Sequence, residues 1–164
     1  MLNRIFNEQL LNTGSGISPF NAWLILRGLR TLPMRLEHIS KTTRKVVAYL
    51  KNHPKIEKII FPFDEGFPQL KLAHKQMTGA CGLFTVTLKT DSYAQIEKFT
   101  YALSHFLVAV SWGGHESLIL PQAAGIGPEK FDPENEKHRM ARIYIGLEDA
   151  DYLITDLEQG LEIL

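Results

Sequence analysis

One cysteine, Cys81, is present in 164 residues. A single thiol excludes an internal disulfide framework and suits a reducing compartment. With no CxxC partner, and lying between Ala80 and Gly82, Cys81 reads as a small core filler rather than a nucleophile. No apolar run approaches the length of a membrane span. Residues 1–12 carry Arg4, Glu8 and three asparagines, so they lack the apolar centre of a signal peptide. These absences point to a soluble cytoplasmic domain with no membrane partner.

Net charge is also absent, the formal value being zero. Its distribution is uneven: residues 1–78 hold 12 Lys+Arg against 5 Asp+Glu, and residues 79–164 hold 6 against 13. Such asymmetry fits two halves that neutralise each other, or a basic half that meets another chain. The basic residues have no interleaved aromatics and no known motif, which argues against nucleic acid. Metal binding is unsupported, because the six histidines (38, 53, 74, 105, 115 and 138) lack ligand spacing. His115-Glu116 has no second histidine to complete a zinc-protease helix. Ser111, Ser117 and His115 are triad residue types without an activated-nucleophile turn or a placed acid.

What the chain does have is alternation of helical and strand patterns. Gly14-Ser15-Gly16-Ile17-Ser18-Pro19 is a helix start, with Ser18 as N-cap and Pro19 in the first turn. Residues 20–52 are helical in pattern, and Pro33 predicts a break or kink near Thr31-Leu32. Leu29, Leu32, Leu36, Ile39, Thr43, Val46 and Leu50 form a stripe suited to a core or a subunit contact. Strands are predicted at 58–61, 82–88, 107–111 and around Arg142, with helices at 69–77, from Asp91 or Ser92 to about 104, and at 149–161. The expected fold class is α+β: a two-layer sandwich with helices packed on a small, largely antiparallel sheet of about four strands.

Two segments could carry chemistry. In Ala141-Arg142-Ile143-Tyr144-Ile145, strand alternation puts Ala141, Ile143 and Ile145 on one face and Arg142 and Tyr144 on the other. An arginine there serves either as a structural ion-pair partner or as a fork for a carboxylate. Ser111-Trp112-Gly113-Gly114-His115-Glu116-Ser117-Leu118 is either an ordinary strand-to-loop turn or a place where backbone amides approach an anion.

Taken in order, several segments resemble the C-terminal portion of the Cys/Met-metabolism (trans-sulfuration) family of pyridoxal-phosphate enzymes, which includes cystathionine γ-synthases, cystathionine lyases and methionine γ-lyases. They are Ser18-Pro19-Phe20-Asn21-Ala22-Trp23, Arg27-Gly28-Leu29-Arg30-Thr31-Leu32, His53-Pro54, Phe61-Pro62, Gln76-Met77 and Gly82. The serine-glycine-glycine turn at 111–118 and Arg142-Ile143-Tyr144-Ile145-Gly146-Leu147-Glu148-Asp149 complete the series.

The resemblance implies that Arg142 grips the α-carboxylate of a sulfur amino-acid substrate and that Ser111 helps to hold it. Gly113, Gly114 and Glu116 would frame the site. It also implies the small domain of a fold-type I enzyme, a homotetramer in the family, with residues 1–17 following a large cofactor domain and 18–164 forming the small domain. The family's Schiff-base lysine lies in an upstream segment that has no match here, since Ser40-Lys41-Thr42-Thr43 has the order wrong. No catalytic residue, no bound pyridoxal phosphate and no activity are therefore expected of this chain alone. The departures are Pro121-Gln122-Ala123-Ala124-Gly125, a shortened loop before Arg142, and Tyr144 where the family has serine. They leave the reaction branch open. The alternative is a free-standing interaction module, using the Leu29–Leu50 stripe and the basic half as its surface.

Overall fold

The computed structural model describes residues 2–10, 16–80 and 82–164. Cys81, and with it the core-filler expectation, lies outside the described residues, as do Gly14 and Ser15 of the predicted turn. Compact units divide the chain into Met1–Met34 and Arg35–Leu164.

In the first unit, helix α1 (Leu2–Arg4) continues as a wider π-helical turn, Ile5–Leu10. Helix α2 (Pro19–Leu29) begins as the sequence predicts: Ser18 Oγ accepts from Asn21 N–H at 3.2 Å, with proline in the first turn. This helix buries none of its residues, and Phe20, Trp23, Leu24, Ile25, Leu26 and Leu29 are all exposed. Helix α3 (Leu32–Lys51) starts anew one residue before Pro33, so the predicted break is present.

The second unit, from Arg35 onward, carries the sheet. Its strands are β1 (Ile56–Ile60), β2 (Leu83–Leu88), β3 (Phe106–Val108), β4 (Ser117–Pro121) and β5 (Met140–Tyr144), in the order β1-β2-β5-β4-β3. All pairings are antiparallel except β3 with β4. The fold class is as expected, with one strand more than the sequence pattern gave. Strand β4 was hidden because its apolar run, Leu118-Ile119-Leu120, is short and squeezed between a glycine turn and Pro121.

Ile143 of β5 pairs with Phe84 and Ile119, and these side chains meet the helices. The helical layer comes from Val46, Val47 and Leu50 of α3, from Ile96 and Phe99 of α5 (Tyr93–Ala102), and from Leu153, Leu157 and Leu161 of α6 (Ala150–Leu161). Helix α4 (Leu70–Gln76) adds one buried residue, Ala73. The predicted helical stripe divides: Ile39, Thr43, Val46 and Leu50 are buried, whereas Leu29 and Leu36 are exposed. Among the described residues no helix is long and apolar enough to cross a membrane.

Buried Asp156 of α6 holds the start of β3, accepting from Ser104 N–H at 2.9 Å and His105 N–H at 2.8 Å. Gly160 lets α6 lie close to α5, since a β-carbon there would fall 2.8 Å from Leu103 Cδ2. His53, just beyond α3, is similarly enclosed. Its Nδ1 accepts from Lys55 N–H at 3.2 Å, and its Nε2 lies 3.4 Å from Glu158 of α6. Burial, helped by the Lys55 charge, holds this imidazole below its ordinary value of 6.5. The half-exposed Glu158 does not reverse that direction.

Two tests follow from this packing. Leu153 is fully buried, so Leu153→Ala should cost about 2–5 kcal/mol in urea unfolding, with the denaturant slope unchanged. Because folded His53 binds a proton less readily than unfolded His53, stability should be present above the unfolded pKa and fall as pH drops below about 6.5. Thermal melts from pH 7.5 to 5 should therefore show a shallower decline for His53→Gln than for the parent chain.

Candidate functional site

The second face of the sheet carries the predicted site. Register places Arg142 opposite Thr85 and Leu120, and Tyr144 opposite Leu83 and Leu118. As the alternation predicts, Ala141, Ile143 and Ile145 lie in the core while Arg142 and Tyr144 share the other side. Arg142 is half-buried. Its Nη2 donates to the carbonyl of Val110 at 2.6 Å and to that of Ser111 at 3.2 Å. No ion pair involves Arg142 among the described residues. Its Nε and Nη1 have no hydrogen-bond partner there either. Two backbone carbonyls therefore orient the guanidinium without neutralising it.

The predicted turn supplies those carbonyls. Ser111 meets Arg142 through its backbone oxygen, and its hydroxyl makes no hydrogen bond among the described residues. Gly113 has φ +88°, a left-handed conformation that side-chain-bearing residues rarely adopt. The carbonyl of Gly114 accepts the Tyr144 hydroxyl at 3.1 Å. A β-carbon on Gly114 would collide with the Glu116 carboxylate, which also lies 3.2 Å from His115 Nδ1. Gly113, Gly114 and Glu116 thus shape the turn beside the arginine.

Sequence reasoning missed the residues that anchor this turn to β5 and the loop after it. Glu148 accepts from Ser117 N–H and from Ser117 Oγ–H, each at 2.8 Å. Ser117 Oγ in turn accepts from Gly146 N–H at 2.9 Å, and Leu147 N–H donates to the His115 carbonyl at 2.7 Å. Gly146 must lack a side chain, because a β-carbon would meet the backbone of His115 and Glu116. The available signal was the pair of motifs themselves. Each holds one side of the brace, Ser117 in one and Gly146-Leu147-Glu148 in the other, and only the fold shows that they meet.

Chemically, the arrangement offers a charged, backbone-oriented guanidinium with donors to spare, beside a glycine turn. It suits a small carboxylate. Glu148→Ala would leave the buried Ser117 N–H and hydroxyl without their acceptor, so it should destabilise the chain by about 1–3 kcal/mol. A double-mutant cycle with Ser117→Ala, followed by urea unfolding, should return a coupling of at least about 0.5 kcal/mol.

Residues 3–162 match the family described as Cys/Met metabolism PLP-dependent enzyme. An L-methionine γ-lyase from Treponema denticola is 36% identical over 156 residues, covering 93% of this chain and 39% of that protein. A cystathionine γ-lyase from Bacillus subtilis is 32% identical, covering 92% of this chain and 40% of that protein. The crystal structure of a cystathionine γ-synthase from Xanthomonas oryzae pv. oryzae, in complex with aminoacrylate and cysteine, superposes with a TM-score of 0.78. That match has 32% identity and covers 92% of this chain and 40% of the other. The chain spans about two fifths of the length of the curated relatives it matches.

Proposed function

The chain belongs to the Cys/Met metabolism family of PLP-dependent enzymes, and from that premise we propose that it is the substrate-carboxylate-binding part of a trans-sulfuration lyase or synthase. The observation that carries this reading is Arg142, oriented by the carbonyls of Val110 and Ser111 and with no ion pair among the described residues. A structural ion-pair arginine would have a carboxylate beside it. This one keeps its charge for a ligand.

Bidentate pairing takes one Nη2 hydrogen together with Nε or Nη1. An arriving α-carboxylate therefore takes one Nη2 hydrogen and leaves the other for a carbonyl of the turn. Arg142 then fixes the orientation of the amino acid as well as its affinity, because a fork on rigid strand backbone leaves the ligand little rotational freedom. Residues 1–17 follow the cofactor-bearing domain in this reading, and 18–164 form the small domain of a cytoplasmic homo-oligomer, a homotetramer in the family.

Pyridoxal phosphate supplies the family's electron sink. The hydrogen-bonded and register neighbours of Arg142 are Val110, Ser111, Thr85 and Leu120, with Tyr144 next along its face. None is a lysine, so this donor set suits a carboxylate and not the cofactor. No step of the cofactor's chemistry is assigned to these residues, and the isolated chain is inactive in this reading. A second reading, an interaction module without catalysis, is favoured by the exposed apolar side chains of α2.

The readings separate in titration. By NMR, L-methionine should shift the Arg142 Nε–Hε signal while L-methioninol, which lacks the carboxylate, should not. Arg142→Leu should abolish the response, and Arg142→Lys should not restore it. Methionine binding that survives Arg142→Leu contradicts the proposal. Mixed with pyridoxal phosphate and borohydride, the isolated chain should yield no specific pyridoxyl-lysine; one labelled lysine at full occupancy would overturn the claim of inactivity.

A further inference from the structure

We infer that Tyr144 is a positioning residue for Arg142, setting the shape of the turn whose carbonyls aim the guanidinium; the inference rests on the reading of Arg142 as a carboxylate ligand. Where the resembling family has serine, this chain places a buried aromatic ring, 4% exposed, on the same face as Arg142 and two residues further along β5. The ring reaches across the sheet face, and its hydroxyl donates to the carbonyl of Gly114 at 3.1 Å. A serine hydroxyl at this position is too short to span that gap.

The ring is packed against Gly82 at its edge and tied to the turn at its hydroxyl. Gly82 has φ +62°, and a β-carbon there would collide with the Tyr144 ring edge. On the opposite side lies the turn. Arg142 holds that turn at Val110 and Ser111, and Tyr144 holds it at Gly114. Between those grips sits Gly113 at φ +88°, the one backbone position in the turn with glycine-only freedom. Beyond Gly114, the bonds from Leu147 to His115 and from Glu148 to Ser117 fix the far end. The Tyr144 hydroxyl is thus the tie nearest Gly113. Without it, Arg142 makes the one remaining hydrogen bond to residues 111–114 among the described residues, and a group cannot orient the carbonyls that are meant to orient it.

Tyr144 therefore contributes preorganisation, with no contact to the ligand. A guanidinium already aimed loses less freedom when the carboxylate arrives. The ring also fills space on this sheet face that a serine would leave open.

The experiment uses the full chain and NMR of the Arg142 side chain. Tyr144→Phe keeps the ring and its packing while removing the hydroxyl. It should speed rotation of the Arg142 guanidinium about threefold or more and weaken the L-methionine response about fivefold, the size of one lost hydrogen bond. The thermal midpoint serves as the control, because a purely structural role would lower it and leave the rotation rate unmoved. An unchanged rotation rate in Tyr144→Phe overturns this inference and leaves the role of Arg142 standing. Methionine binding that is indifferent to Arg142→Leu overturns the underlying reading instead.

Discussion

Ser117 Oγ donates to Glu148 and accepts from the amide of Gly146, and around this small polar centre two distant stretches of chain are joined. One stretch is the glycine turn that leaves β3; the other is the end of β5 and the loop after it. Leu147 adds a backbone bond to His115, Tyr144 a bond to Gly114, and Arg142 its two bonds to Val110 and Ser111. Ser117 is fully buried, so its amide and hydroxyl would be costly to leave unpaired. Where Arg142 points depends on this brace.

The rest of the domain serves to hold β5 still. Its core side is filled by Ala141 and Ile143, with Ile145 just beyond its end, against three helices, and both of its neighbours in the sheet pair with it antiparallel. An arginine in the middle of such a strand has a fixed Cα and a short list of directions. The surface ion pairs, Lys58 with Glu136 and Lys41 with Glu37, add little by comparison because they are largely exposed. The buried carboxylate of Asp156 matters more, since it ties α6 to the strand that feeds the turn.

Much of this was legible in the sequence. Ser18-Pro19 announced a capped helix, Pro33 a break, and the alternation of Ala141 to Ile145 told the core face from the other. The fifth strand was not legible, because three apolar residues between a glycine pair and a proline carry no period. The brace was hidden for a different reason. Glu116 and Glu148 look equally able to frame the turn in one dimension; only the register of β4 on β5 puts Glu148 under Ser117 and sends Glu116 over Gly114. Tyr144 was visible as an oddity, but its role needed the position of Gly114. The exposure of the apolar side chains of α2 was likewise invisible, since apolar residues in a helical pattern read as a buried face in the sequence.

The central claim is that Arg142 is a carboxylate fork held in place by backbone carbonyls. A crystal structure of the chain grown with L-methionine tests it most directly. The account predicts both carboxylate oxygens on Arg142, one on Nη2 and one on Nε or Nη1, at about 2.7–3.2 Å, with one turn carbonyl still on Nη2. Methionine bound elsewhere, or Arg142 turned onto a carboxylate of the protein itself, would contradict it.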